Sequence, residues 1–258
     1  MAQLQRLAVT ATQICDRTID LTREQQHYLN RVLRLQTGDR FIAIDGRGHW
    51  WSAVLEERET GLFASIAEEI AVNRELPVEV TLMAALPKGN GFDEVVRQAV
   101  ELGVASIMPV TSDRTLLKPS SQKVARWKRI AAEAVEQSER QIVPTILDPV
   151  SFNIAVKDCG QKYRFMCVAR GENRHLWDCL IGSFEPPFVG AVSPCPPPAG
   201  GELSIVIAVG PEGGWTEGEV ERAIEFGFEA VSLGSRILRA VTAPIVALSL
   251  VSAAFEKC

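Results

Sequence analysis

Two glycine-bearing loops with one helix between them hold the residues best suited to chemistry: Gly210-Pro211-Glu212-Gly213-Gly214 and Leu233-Gly234-Ser235-Arg236-Ile237-Leu238-Arg239. Glycine lets main chain approach a ligand closely, because no Cβ stands in the way. The first loop has neither the Gly-Lys-Ser/Thr of a P-loop nor the GxGxxG spacing of a dinucleotide fold. Its Glu212 stands beside a helix N-terminus, where a carboxylate is stabilised and competes with a phosphate for the same amides. A nucleoside or a cationic cofactor is therefore expected there, not a polyphosphate. The same pentapeptide could serve only as a tight strand-to-helix turn; its pairing with the second loop, which adds the guanidinium donors Arg236 and Arg239, favours a site.

These loops need strands to hold them. Residues 205–209 form a branched apolar run that reads as a buried strand, ended by Gly210-Pro211. Thr216 and Glu219 make a capping box that opens a helix with Val220, Ala223 and Ile224 on one face, and Gly227 closes it. A strand over 229–233 follows, so the expected unit is βαβ, with both loops at the strand ends where open α/β sheets bind ligands. Upstream, a strand over 78–85, a helix over 92–102 closed by Gly103, a strand over 104–110, a helix over 123–137 and a strand over 164–169 continue the α/β grammar. A short helix is expected over 175–181, and an apolar one over 242–255 able to pack on the sheet or on a partner chain. Residues 185–201 carry six prolines and read as an irregular insert.

The first 73 residues have a different character. Strands over 41–44 and 49–55 flank the turn Asp45-Gly46-Arg47-Gly48, another strand covers 62–66, and Thr22 caps a helix over 23–33 with Tyr28, Leu29, Val32 and Leu33 apolar. A small β-barrel-like domain over 1–73 is expected, followed by an α/β domain over 74–258. The first domain holds eight arginines and no lysine, which suits planar hydrogen bonding. His27, Arg31 and Arg34 lie at helical spacing, either as an RNA-contacting face or as a solvated one. From Arg114 to Arg129 there are six basic residues, Lys118 among them, and no acidic one; this too is either a solvated helix face or a binding site.

Composition sets the outer limits. A chain of 258 residues with 47% hydrophobic content can bury a large core. Its net charge of −5 weighs weakly against nucleic acid, so a basic surface would have to be local. The amino terminus has no apolar h-region, and no stretch approaches the roughly 20 apolar residues of a membrane span, which points to a cytoplasmic protein without a membrane partner. Six cysteines without CxxC spacing argue against a metal site or a disulfide framework.

The order Leu86-Pro87-Lys88-Gly89, Glu101-Leu102-Gly103-Val104, Glu136-Gln137-Ser138 with Arg140 and Pro144, and then the two carboxy-terminal loops, resembles the bacterial 16S ribosomal RNA uracil-N3 methyltransferases of the SPOUT class. His27 with Arg31-Val32-Leu33-Arg34 is similar to that family's amino-terminal domain, so the resemblance runs nearly end to end. It implies a PUA-like RNA-binding β-barrel domain followed by a trefoil-knotted α/β domain, a homodimer, S-adenosylmethionine as cofactor, and 16S rRNA as substrate, naked or within the assembled small ribosomal subunit. It also implies that Gly210, Glu212, Gly213, Leu233, Gly234, Ile237, Leu238 and Thr242 bind the cofactor, with residues 169–171 as a third loop. Arg6, His27, Arg31, Arg34, Lys88 and Arg114 would contact RNA. Arg236 and Arg239 would be the catalytic donors, to the uracil carbonyl oxygens or a flanking phosphate; the other reading of Arg239 is a salt bridge to a helix carboxylate.

Uracil N3 carries a proton at neutral pH, so such a site must help remove it or stabilise the anion that remains. Two departures from the family pattern bear on this. Most relatives read Thr-Glu-Thr-Ala where this chain has Ala240-Val241-Thr242-Ala243, so a carboxylate is missing and is inferred to be dispensable or structural; the usual Gln-Lys is Arg97-Gln98 here, which moves a positive charge by one residue. Two rival readings stand beside the main one: a ribose 2′-O methyltransferase of the same class, and a non-catalytic RNA-binding protein that kept the barrel and lost the chemistry.

Overall fold

The structure, a computed structural model, describes residues 4–59, 61–71, 74–115, 119–183 and 203–256. Lys118 and the proline-rich stretch 185–201 lie outside them. The chain divides into two compact units, Met1–Glu75 with Val135–Val143, and Leu76–Ala134 with Pro144–Cys258.

The first unit contains β1 (Arg6–Ala8), β2 (Ile14–Cys15), β3 (Thr18–Asp20), α1 (Arg23–His27), β4 (Arg40–Ile44), β5 (Trp50–Arg58) and β6 (Gly61–Ile70). They form one sheet in the order β1-β4-β5-β6-β3-β2, antiparallel except where β1 runs beside β4. The hairpin expected around the 45–48 turn is present, with Ile44 opposite Trp50 and Phe41 opposite Ala53. Phe41, Ala43, Ala53, Leu55 and Ala64 share the buried face, and Leu29 packs onto it. Thr22 caps α1 as expected: its hydroxyl accepts the Gln25 N–H at 3.2 Å and the Gln25 side chain accepts the Thr22 N–H at 2.9 Å. Beyond α1 the helix widens, the Leu33 N–H donating to Tyr28 O five residues back at 2.9 Å. A widened turn rotates each side chain less than an α-helix does, and apolar Val32 is 59% exposed.

Residues 135–143 carry polar anchors within this unit. Glu136 accepts the Ala8 N–H at 2.9 Å, Glu139 pairs with Arg6 at 2.6 Å and Arg74 at 2.9 Å, and buried Arg140 donates to Glu75 at 3.1 Å. Glu136 and Arg140 in the family-like segment therefore hold the fold.

The second unit contains β7 (Glu79–Ala85), α2 (Gly91–Glu101), β8 (Ser106–Thr111), β9 (Thr145–Ile146), β10 (Val150–Ser151), α4 (Phe152–Lys157), β11 (Tyr163–Cys167), α5 (Leu176–Ser183), β12 (Ser204–Val209), α6 (Glu217–Glu225), β13 (Glu229–Val231) and α7 (Ala243–Phe255), together with α3 (Ser121–Ser138) as far as Ala134. The strands pair in the order β10-β8-β7-β12-β11-β13, with β9 beside β8, and every pair is parallel. A parallel sheet is covered on both faces, which is why β12 reads as a continuous apolar run and buries residues 205 to 209 throughout. The β12-α6-β13 unit differs from a simple βαβ in one respect. Strand β11 lies between its two strands and pairs with both, Phe165 standing opposite Ile207 on one side and Glu229 on the other. The loops leaving β11, β12 and β13 are thereby brought side by side at the carboxyl edge of the sheet.

Candidate functional site

Those loops and the chain entering α7 enclose a cavity of about 360 Å³. The first wall is built where β12 ends. Pro211 O accepts the Gly214 N–H at 2.8 Å, closing a turn in which Gly214 adopts φ +68, a conformation costly for any residue with a Cβ. Gly210 is required for a different reason: a Cβ there would lie 3.2 Å from the Trp215 indole, whose ring packs on Phe152 at 4.4 Å. A Cβ on Gly213 would lie 3.1 Å from Arg114 Cδ. The opposite wall is held by Ser232. Its hydroxyl accepts the Gly234 N–H at 3.0 Å, its own N–H donates to Arg174 O at 2.8 Å, and its carbonyl accepts the Leu176 N–H at 2.9 Å, so the β13 loop is tied to the β11 loop. Gly234 has φ +107 and open space where a Cβ would stand.

The carboxylates are placed differently from the sequence expectation, with the same chemical consequence. Glu212 turns to the β7 loop and accepts the Lys88 N–H at 2.9 Å. The α6 N-terminus is filled instead by buried Glu219, which accepts the Thr216 N–H at 2.8 Å and the Asp113 N–H at 2.9 Å. With a buried carboxylate in its first turn, that terminus disfavours a phosphate. Glu219 also explains why Ile224 is 53% exposed. The buried side of α6 centres on Glu219 and Ala223, and Ile224 is rotated away from both.

Three arginines, Arg114, Arg170 and Arg236, line the cavity and are exposed. Arg114 donates to Gly213 O and, at 3.3 Å, to Trp215 O, which fixes it over the first glycine loop. Leu233, Ile237 and Leu238 complete the wall expected for them; Arg239, Thr242 and Lys88 are exposed and not part of the lining. Burial pushes the Cys167 thiol up to about 12, so this lining residue stays protonated at neutral pH and is no nucleophile. Ala240 lines the cavity, and Val241 packs its Cγ1 2.8 Å from the position a Gly91 Cβ would take. Among the described lining residues Glu212 is the only carboxylate.

Other basic residues are spent on the fold. Arg126 pairs with Asp93 at 2.8 Å, Arg129 with Glu133 at 3.6 Å, and Lys123 reaches Gly89 O at 3.5 Å, leaving Arg114 as the described member of the basic run that faces the cavity. In the first unit Arg6 is 17% exposed, paired with Glu139 and lying 5.6 Å from the Trp50 ring centre, whereas His27, Arg31 and Arg34 are exposed. Arg170 was foreseen only as part of the third loop, residues 169–171, without a role of its own, and Trp215 was not foreseen as a site residue. Arg170 belongs to a loop without a motif, and the contact of Trp215 with Gly210 closes over a turn that sequence spacing does not describe.

A parallel sheet with a backbone-walled cavity at its carboxyl edge, in a chain that also carries a separate small β unit, defines an α/β enzyme class built to hold a nucleoside-like ligand. Residues 74–252 match the RNA methyltransferase domain family and residues 21–65 the RNA methyltransferase PUA domain family. The chain belongs to the ribosomal RNA small subunit methyltransferase E family. It is 45% identical to the ribosomal RNA small subunit methyltransferase E of Synechocystis sp., over 98% of this chain and 78% of that protein. It is 33% identical to the Bacillus subtilis protein of the same name, over 91% of this chain and 90% of the relative. The crystal structure of the Neisseria gonorrhoeae ribosomal RNA small subunit methyltransferase E, bound to S-adenosyl methionine, matches with a TM-score of 0.81 and 30% identity, covering 97% of this chain and 98% of that one. Among the described residues, no helix is long and apolar enough to cross a membrane.

Proposed function

We propose that this protein transfers a methyl group from S-adenosylmethionine to N3 of a uridine in 16S rRNA, acting in the cytoplasm as a homodimer. The observation that carries the reading is the cavity itself: glycine main chain and apolar side chains on two walls, with exposed arginines around them. The residues fit the cofactor. Main chain of Gly210, Gly213 and Gly234 can approach an adenosine edge to edge, Val168, Ile237 and Leu238 offer apolar surface, and the Glu219 carboxylate in the first turn of α6 disfavours a phosphate. When bound, S-adenosylmethionine supplies an electrophilic methyl on a sulfonium.

The chain's own residues have the complementary task of favouring an anionic base. Arg114, Arg170 and Arg236 can donate to the uracil carbonyl oxygens or to flanking phosphates, and their positive charge favours the deprotonated ring in a partly dry site. Arg239 stands next in line for a flanking phosphate. Helix α7 is apolar along its length, and its Ile245, Val246 and Leu250 are only half-buried in the single chain, which leaves apolar surface that a second copy would cover.

Nucleoside digestion of 16S rRNA from a strain lacking the protein and from its parent tests the proposal. The expected result is loss of 3-methyluridine in the deletion strain and its return when the purified protein and S-adenosylmethionine are added to that RNA or to its small subunits. Unchanged 3-methyluridine with loss of a 2′-O-methylnucleoside would instead assign a ribose methyltransferase. A protein that binds RNA but shows no calorimetric signal with S-adenosylmethionine would be a non-catalytic binder.

A further inference from the structure

The 45–49 turn of the first unit carries a side-chain arrangement beyond what a hairpin needs. One oxygen of the Asp45 carboxylate accepts the Arg47 N–H at 2.8 Å and the His49 N–H at 3.1 Å, and the other lies 2.8 Å from His49 Nδ1. A carboxylate can only accept, so Nδ1 is the donor and the ring's tautomer and orientation are fixed. The imidazole is stacked on Trp51, with centroids 5.6 Å apart and planes at 12°, yet its side chain remains 54% exposed. The turn is also held from outside. Gly46 O accepts the Val143 N–H at 2.9 Å, and Gly48 exchanges bonds with Gln141 at 3.1 and 3.0 Å. The result is a rigid aromatic stack with one ring still open to solvent.

Its surroundings say what could cover it. Arg47 is exposed beside the stack. Trp51 stands opposite Ala43 in the sheet and is half-buried against the core of the unit, so the open ring of the pair is that of His49. An open planar ring with an exposed arginine in the same turn matches an unpaired nucleotide, whose base stacks while its phosphate meets a guanidinium group. We propose that the His49–Trp51 stack is a docking site for an unpaired base of the RNA substrate, a contact that anchors RNA on the first unit and takes no part in methyl transfer. This rests on the RNA methyltransferase reading.

Binding of a 16S rRNA transcript measured over a range of salt concentrations tests it. Loss of one stacked base weakens binding by about tenfold or more. His49→Ala should therefore lower affinity about tenfold at every salt concentration, leaving the slope of log affinity against log salt unchanged, because stacking releases no counterions. His49→Tyr should restore affinity by restoring a ring, and Trp51→Leu, which keeps apolar bulk on the core side, should reproduce the loss. Wild-type affinity in both His49→Ala and Trp51→Leu would overturn the proposal and leave a stack that merely packs the hairpin. A loss in His49→Ala that comes with a shallower salt slope, or that tyrosine does not repair, would overturn stacking as its basis. Failure of the wild-type protein to bind the transcript or to form 3-methyluridine would sink the wider reading along with it, which keeps the two failures distinguishable.

Discussion

At the scale of single residues, the glycines of the first loop divide by cause. Gly214 is required by its backbone, with φ +68, whereas Gly213 is required by its neighbour, since a Cβ would press on the Arg114 side chain at 3.1 Å. Gly213→Val should therefore act through Arg114 and the cavity together. Overpacking costs about 1–3 kcal/mol, or roughly 5- to 150-fold in S-adenosylmethionine affinity by calorimetry, with RNA affinity retained. Removing the arginine side chain in the Gly213→Val, Arg114→Ala double variant should recover part of that affinity, and a cofactor affinity untouched by Gly213→Val would place the ligand elsewhere. Arg170 and Arg236 are expected to act on rate. Replacing either by Gln removes a donor to the developing anion and should lower kcat by about 10²-fold with cofactor affinity unchanged. A variant that only raises the apparent KM for RNA would demote that arginine to a phosphate contact.

At the scale of elements, what could be read from sequence was what is local. The Thr216–Glu219 capping box, the closing glycines Gly103 and Gly227, and the apolar run of β12 depend on neighbours a few residues away, and each is found where expected. The second role of Glu219 spans 106 residues: its carboxylate accepts the Asp113 N–H, next to Arg114, and so ties the β8 loop to the glycine loop. No spacing rule announces that bond. For the same reason the insertion of β11 between β12 and β13 was not legible, nor were the two-residue strands β2, β9 and β10, which are too short to show a period. Losing Glu219 is expected to cost more than a cap. Glu219→Ala leaves the Thr216 cap but removes the reciprocal half of the capping box, worth about 1 kcal/mol, and takes the acceptor from the Asp113 N–H at about 1–3 kcal/mol more, so the melting temperature should fall by roughly 4–16 °C. Glu219→Gln keeps an acceptor for one of the two backbone donors and should fall by less. Equal melting temperatures for Glu219→Ala and wild type would mean that the cross-link carries no load.

At the scale of the molecule, a chain of net charge −5 that works on a polyanion must hold its basic character in patches. The structure sorts the arginines accordingly. Arg6, Arg74 and Arg140 are paired with Glu139 and Glu75 inside the first unit, Arg126 is paired with Asp93 and Arg129 with Glu133, and among the exposed arginines Arg114, Arg170 and Arg236 line the cavity, Arg31 and Arg34 follow α1, and Arg17, Arg23, Arg40, Arg47 and Arg222 lie elsewhere. A guanidinium already neutralised by a nearby carboxylate releases few counterions on meeting RNA, so the salt dependence of binding should come from the exposed set. Replacing Arg31 and Arg34 together by Ala removes two candidate phosphate contacts. The slope of log affinity against log salt should become shallower by about 1.4 to 1.8, at roughly 0.7 to 0.9 per contact, while kcat at saturating RNA stays near the wild-type value because the cavity is intact. Replacing Arg126 and Arg129 is the matched control, with the same charge removed and no change in slope expected. If the Arg31/Arg34 variant kept the wild-type slope and the Arg126/Arg129 variant lost it, the RNA surface would have to be moved from the first unit to α3.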